Sequence, residues 1–175
     1  MPRAGEGQAA RARLAGPGDM AAVRDLCRAY RDVLIARSRD VPAFVETYYE
    51  AEGFERLLKD LPRLHAPPEG AVFVAEARGR VVGCAMIHRV APGVAEIKRV
   101  YVDPDARGTG AGRLLFEAAM AEARGRGYAR MVLDTFHTLT EAIALYGKLG
   151  FEPIPPFYDP DPDLLPYLRF YGRTL

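Results

Sequence analysis

Apolar positions along the chain follow two rhythms, one helical and one alternating. Val23, Leu26, Cys27, Tyr30, Val33 and Leu34 recur at three- and four-residue intervals, which predicts an amphipathic helix. Gly16-Pro17-Gly18 interrupts the chain before it, Asp19 stands where an N-cap belongs, and Arg11–Ala15 reads as a short opening strand. A second helical stretch follows Pro42, with Phe44, Val45, Tyr48, Phe54, Leu57, Leu58 and Leu61 on its apolar face and Gly53 as a point of division. After Pro67-Pro68 the period shortens. Ala71–Ala75 and Val81–Val90 read as strands joined by a hairpin turn at Arg78-Gly79-Arg80, and Pro92-Gly93 leads into a third strand, Val94–Val102.

Asp103-Pro104 ends that strand. Ala111, Leu114, Leu115, Ala118 and Ala121 then share one face of a helix over Gly110–Arg126, which Gly125 and Gly127 close. Arg130–Thr135 is another apolar strand. Thr138 and Glu141 have capping-box spacing for a helix that runs to Leu149, with Gly150 and Phe151 in the positions of a left-handed terminator and its apolar contact. Phe151–Ile154 and Tyr167–Tyr171 read as closing strands around a Pro-rich loop. The order β-α-α-β-β-β-α-β-α-β-β predicts an α/β (α+β mixed) domain, a mixed sheet with helices on both faces.

Composition narrows the function. The 175 residues fit one domain, read as residues 10–175 behind a flexible leader of residues 1–9. A formal net charge of +1 supplies no field for nucleic acid or an anionic membrane, and no apolar run approaches the length of a span. Two cysteines, Cys27 and Cys84, lie inside apolar periodic segments, as reduced thiols of a cytoplasmic protein do. Function therefore rests on local sites.

The segment Glu96–Gly112, EIKRVYVDPDARGTGAG, carries the chemistry. A strand enters a glycine-rich turn and the turn opens a helix, whose free N–H groups and positive dipole end suit a phosphate. Gly108, Gly110 and Gly112 let backbone approach an anion, and Arg107 adds a planar cationic fork. No Lys follows these glycines as a P-loop requires, and Arg113 stands where a dinucleotide fingerprint needs its third Gly. A plain surface turn is the alternative.

Arg107, Gly110 and Gly112 match the [RQ]-x-x-G-x-[GA] signature, and KRVYVDPDARGTGAGRLL, YARMVLDT and IALYGKLGFEPIPPFY extend the likeness. The chain thus resembles the GNAT superfamily of N-acetyltransferases, in a bacterial GNAT-like subgroup, most firmly over Val72–Tyr158. The resemblance implies a mostly antiparallel sheet and acetyl-CoA as co-substrate. Val100, Tyr101 and Val102 would pair with the pantetheine arm, and the backbone of Arg107, Gly108, Thr109, Gly110, Ala111, Gly112 and Arg113 would hold the pyrophosphate. The strands Val94–Val102 and Arg130–Thr135 would splay around the donor. Tyr146, in Y-x-x-G-F, would be the general acid, a phenol protonated at neutral pH beside a leaving thiolate of pKa about 8.5. A core aromatic is its other reading, because Leu139, Ala142, Ile143 and Leu149 share its face.

Glu96 is the candidate base, acting directly or through water, with an exposed strand carboxylate as its other reading. The implied reaction is acetyl transfer to a primary amine, of a small molecule or a protein, in a ternary complex; the other reading is a CoA-binding sensor without turnover. The early helices, residues 32–54, and the late Pro-rich loop would form the acceptor pocket, with Tyr48, Tyr49, Phe157 and Tyr158 as a possible aromatic wall. Asp159, Asp161 and Asp163 alternate like a calcium loop, but Leu164 and Phe170 replace its Gly and Glu. Cys84 and His88 lie two pleats apart, too far for a nucleophile pair, and His65 and His137 add no ligand cluster, so no metal is expected. The chain is expected to be a monomer or a homodimer.

Overall fold

The computed structural model describes residues 9–41 and 50–175. Its elements run β1 (Arg11–Leu14), α1 (Met20–Arg37), α2 (Ala51–Leu64), β2 (Ala71–Ala77), β3 (Arg80–Ala91) and β4 (Val94–Val102), followed by α3 (Ala111–Gly125), β5 (Arg130–Phe136), α4 (Thr140–Lys148), β6 (Glu152–Pro153) and β7 (Leu168–Thr174). The seven strands form one sheet in the order β1-β2-β3-β4-β5-β7-β6. Every neighbouring pair is antiparallel except β4 and β5, which run parallel through the α3 crossover. The expected mixed, mostly antiparallel sheet with helices on both faces is therefore present.

Strand alternation sends two sets of side chains to two cores. Phe73, Ala75, Ala85 and Ile87 pack with Leu115, Phe116 and Ala119 of α3, whereas Val74, Cys84 and Met86 pack with Val23 and Cys27 of α1 and Leu58 and Leu61 of α2. Burying each large side chain contributes about 1.5–3 kcal/mol. A third cluster, with Leu34, Phe136, Leu139, Leu164 and Phe170, joins α1 to the β5–β7 end of the sheet.

Several local readings change. The carboxylate of Asp19 caps nothing in α1; it accepts from Gly16 N at 2.7 Å and from Arg13 Nη1 at 2.7 Å, tying the turn to β1. The capping box at Thr138 and Glu141 does not form: α4 begins at Thr140 after Leu139, Thr138 Oγ1 is buried without a partner among the described residues, and Glu141 pairs with Arg37 at 2.8 Å. An ion pair between helices has taken the carboxylate that a local cap would have used. Gly53 does not divide α2, which continues through it. Phe44, Val45, Tyr48 and Tyr49 lie outside the described residues. The terminator of α4 forms as read, with Phe151 N donating to Tyr146 O and Gly150 N to Gly147 O, each at 3.0 Å.

Candidate functional site

The sheet opens between its two parallel strands. β4 and β5 pair over only Val94↔Arg130, Ala95↔Met131 and Glu96↔Val132, while β5 stays paired with β7 to Phe136. Beyond Glu96, β4 leaves β5 while its other edge keeps to β3. A bulge sits at the divergence: Cys84 faces Tyr101 and Met86 faces Lys98, so Arg99 and Val100 together oppose Ala85. Arg99 takes the left-handed conformation there, with φ of 50°. A non-Gly residue at positive φ is held by its surroundings, and such positions cluster at functional sites.

Two cavities fill the opening. One, of about 210 Å³, follows β4 along Val100, Tyr101 and Val102 to Arg107, with Val33, Arg37, Leu139, Glu141 and Ala142 opposite. The other, of about 200 Å³, lies under α1 and α2, between Lys98, Arg99 and Val100 of β4 and Leu133, Asp134, Thr135 and Phe136 of β5. Tyr30, Val100 and Tyr146 border both. The strand Val100–Val102 and Tyr146 thus border the same outer cavity.

At the outer end the turn leaves backbone amides facing open space. Gly108 and Gly110 both have φ of 80° and open space where a Cβ would stand. Among the described residues, the amides of Gly108, Gly110, Ala111, Gly112 and Arg113 have no acceptor within the chain, Leu114 being the first to donate back, to Gly110 O at 3.0 Å. Thr109 Oγ1 donates to Ala106 O at 2.7 Å, fixing the turn. Arg107 is exposed and makes no ion pair among the described residues, whereas Arg113 Nε donates to Glu117 at 2.7 Å. Gly112 is helical, and a Cβ there would meet Leu145 at 3.6 Å and Val102 at 3.8 Å, ordinary contact distances that an alanine would also satisfy.

Tyr146 is only 8% exposed, with Phe116, Phe151 and Tyr171 around its ring at centroid distances of 5.5, 6.3 and 5.8 Å. The ring is part of the core, and the side chain also borders both cavities. Burial pushes its phenol up to about 12. Thr135 Oγ1 is itself buried and has no hydrogen-bond partner among the described residues.

Glu96 is placed differently from Tyr146. It is buried and does not line either cavity. Its Oε1 accepts from Lys98 Nζ at 2.8 Å and its Oε2 lies 2.6 Å from His88 Nε2. Burial alone would raise the carboxyl, but the His88 hydrogen bond and the Lys98 charge outweigh it and hold the group below the usual carboxylate range. His88 therefore belongs with Glu96. Cys84 is fully buried against Cys27 and α1, as core packing predicts. His65 is held neutral by burial, which pushes it down to about 4, and its Nδ1 meets Ile87 O at 3.0 Å.

Sequence reasoning missed Arg99, the Arg37–Glu141 pair on the wall of the outer cavity, and Asp134, which accepts from Tyr158 Oη at 2.7 Å. A signal for the bulge was present: Lys98 and Arg99 put two consecutive charges into a central strand, which simple alternation does not accommodate. Phe157 stacks edge-on against Tyr158 at 5.3 Å, but only Tyr158 reaches a cavity. Among the described residues no His, Cys, Asp and Glu group has the arrangement of a metal site, and no helix is long and apolar enough to cross a membrane.

Comparison with known proteins agrees with this architecture. The Acetyltransferase (GNAT) family profile matches residues 35–151. An uncharacterized N-acetyltransferase of Schizosaccharomyces pombe is 34% identical over 140 residues, 74% of this chain and 85% of that protein. An acetyltransferase structure from Streptococcus agalactiae superimposes with a TM-score of 0.72 at 22% identity, covering 96% of this chain and 99% of the other. A PaiA N-acetyltransferase from Thermoplasma acidophilum, solved in complex with coenzyme A, gives a TM-score of 0.70 at 17% identity over 95% and 99% of the two chains. The fold and these relatives define an acyl-CoA-dependent acetyltransferase. The chain belongs to the GNAT family.

Proposed function

We propose that the protein moves the acetyl group of acetyl-CoA to a primary amine by direct attack within a ternary complex. The observation that carries this reading is the course of the opening: an anion-receiving turn at Arg107–Arg113, the unpaired edge of β4 leading inward, and Tyr146 where the two cavities meet. The free amides and Arg107 would hold the pyrophosphate, whose charge they complement. Val100, Tyr101 and Val102 would pair with the pantetheine amides as a missing strand would. The thioester would then lie beside the bulge, where a backbone N–H of Val100 or Tyr101 would stabilise the carbonyl oxygen as charge develops on it.

The neutral amine attacks the thioester carbon from the inner cavity, a C–N bond forms, and the tetrahedral intermediate expels the thiolate. Tyr146 donates a hydrogen bond to that sulfur. The amine's surplus proton leaves toward Glu96, through water or by way of Lys98, which borders the cavity and touches the carboxylate. Glu96→Gln keeps the shape and removes the charge; kcat is expected to fall about a hundredfold with the KM for acetyl-CoA unchanged, a typical effect of losing a general base. Unchanged kcat across the pH profile would leave Glu96 a purely architectural role.

Calorimetric titration with acetyl-CoA, with free CoA and ATP as comparisons, tests the donor site. Saturable binding of both CoA forms without a comparable ATP signal is the expected result. A folded protein that binds neither CoA form would overturn the proposal.

A further inference from the structure

The inner cavity has an uneven charge inventory. Its described lining includes three basic side chains, Arg31, Lys98 and Arg99, and one acidic one, Asp134. Lys98 is already committed to Glu96 at 2.8 Å, and Asp134 accepts from Tyr158 at 2.7 Å. Arg31 lies with its guanidinium carbon 5.3 Å from the Phe54 ring centre. Arg99 is the conspicuous member. Half-buried, it forms no ion pair among the described residues, where its guanidinium's polar contact is Nη1 to Met86 Sδ at 4.0 Å, a weak acceptor.

The backbone is held out of the ordinary strand conformation at this residue, with φ of 50° at the bulge. A guanidinium half out of water without a carboxylate is costly unless something else supplies the negative charge. The rest of the wall is apolar and aromatic, including Leu34, Phe54, Phe136 and Leu168. The space, of about 200 Å³, has room for a small molecule.

We infer that the acceptor is a small primary amine that also carries a carboxylate and an apolar body, as a free apolar amino acid does, and that Arg99 binds the carboxylate. The inference rests on the transferase reading above and names its substrate class. Asp134 stands on the opposite strand from Arg99, so a zwitterion entering between β4 and β5 meets a charge of each sign. A polycation would meet, among the described residues, three basic side chains and one acidic one.

The test is thiol release at saturating acetyl-CoA with four acceptors: L-phenylalanine, L-methionine, L-phenylalaninamide and spermidine. An amino acid is expected to exceed the amide in kcat/KM by at least tenfold, although the amide's less basic amine is the better supplied with neutral nucleophile. Arg99→Gln should lower kcat/KM for the amino acid by about ten- to a hundredfold, the range for hydrogen bonds to a charged group, and bring acid and amide within threefold of one another. Arg99→Lys should recover part of the difference.

Preference for the amide or spermidine, failure to acetylate either amino acid, or an equal loss for acid and amide in Arg99→Gln would overturn the inference. Turnover of spermidine or the amide alone would do so while leaving the transferase reading intact. Absence of acetyl-CoA binding in the same preparation would instead remove the transferase reading, and this inference with it.

Discussion

Gly110→Asp should weaken acetyl-CoA binding by about thirtyfold or more while the protein stays folded. Gly110 has φ of 80°, in the left-handed region, and nothing lies within 4 Å of where its Cβ would be. Among side-chain-bearing residues, Asp and Asn tolerate that conformation best, so the backbone cost is modest. The carboxylate would enter the space faced by the free amides of Gly108, Gly110, Ala111, Gly112 and Arg113. At an effective dielectric near 20, a like unit charge about 4–8 Å from the pyrophosphate costs about 2–4 kcal/mol. Gly110→Asn carries the same bulk without the charge and is expected to lose only several-fold. Calorimetry with both variants, beside thermal melts followed by circular dichroism, separates charge from misfolding. A folded Gly110→Asp protein that binds as well as the parent would place the anion elsewhere.

Tyr146→Phe is expected to lower kcat about a hundredfold and to change the KM for acetyl-CoA by no more than a few-fold. The ring keeps its contacts with Phe116, Phe151 and Tyr171, so the melting temperature should move little. The phenol, pushed up to about 12, stays protonated through any pH at which the enzyme works. Its value also lies well above that of a thiol, about 8.5, so full proton transfer to the leaving sulfur is uphill. A hydrogen bond that strengthens as the thiolate develops is the contribution consistent with that ordering. The alkaline limb of the pH–rate profile should therefore be unaltered in Tyr146→Phe. A variant with parental kcat would return Tyr146 to a packing role.

The Arg107–Gly112 turn was legible because its parts are local: a strand, positive-φ glycines and a helix start, all within a few residues. The same locality explains the Gly150 terminator and the Arg78-Gly79 hairpin, whose residues both have positive φ. Asp19 and Glu141 misled for the complementary reason. Each had the right spacing for a local cap, but an arginine brought near by the fold, Arg13 or Arg37, offered its carboxylate a charged partner. Local signals hold until a stronger partner arrives from elsewhere in the chain.

Periodicity and turn chemistry determined the order of elements, the sidedness of each strand and the position of the anion turn, because these depend on neighbours a few residues apart. Tertiary structure decided the rest. The opening of β4 from β5, the burial of Glu96 between His88 and Lys98, and the meeting of two cavities at Tyr146 depend on which strands lie side by side. Arg99 and Asp134 are thirty-five residues apart in sequence yet line one cavity, because a parallel pair needs a helical crossover and that crossover carries the chain from one lip to the other.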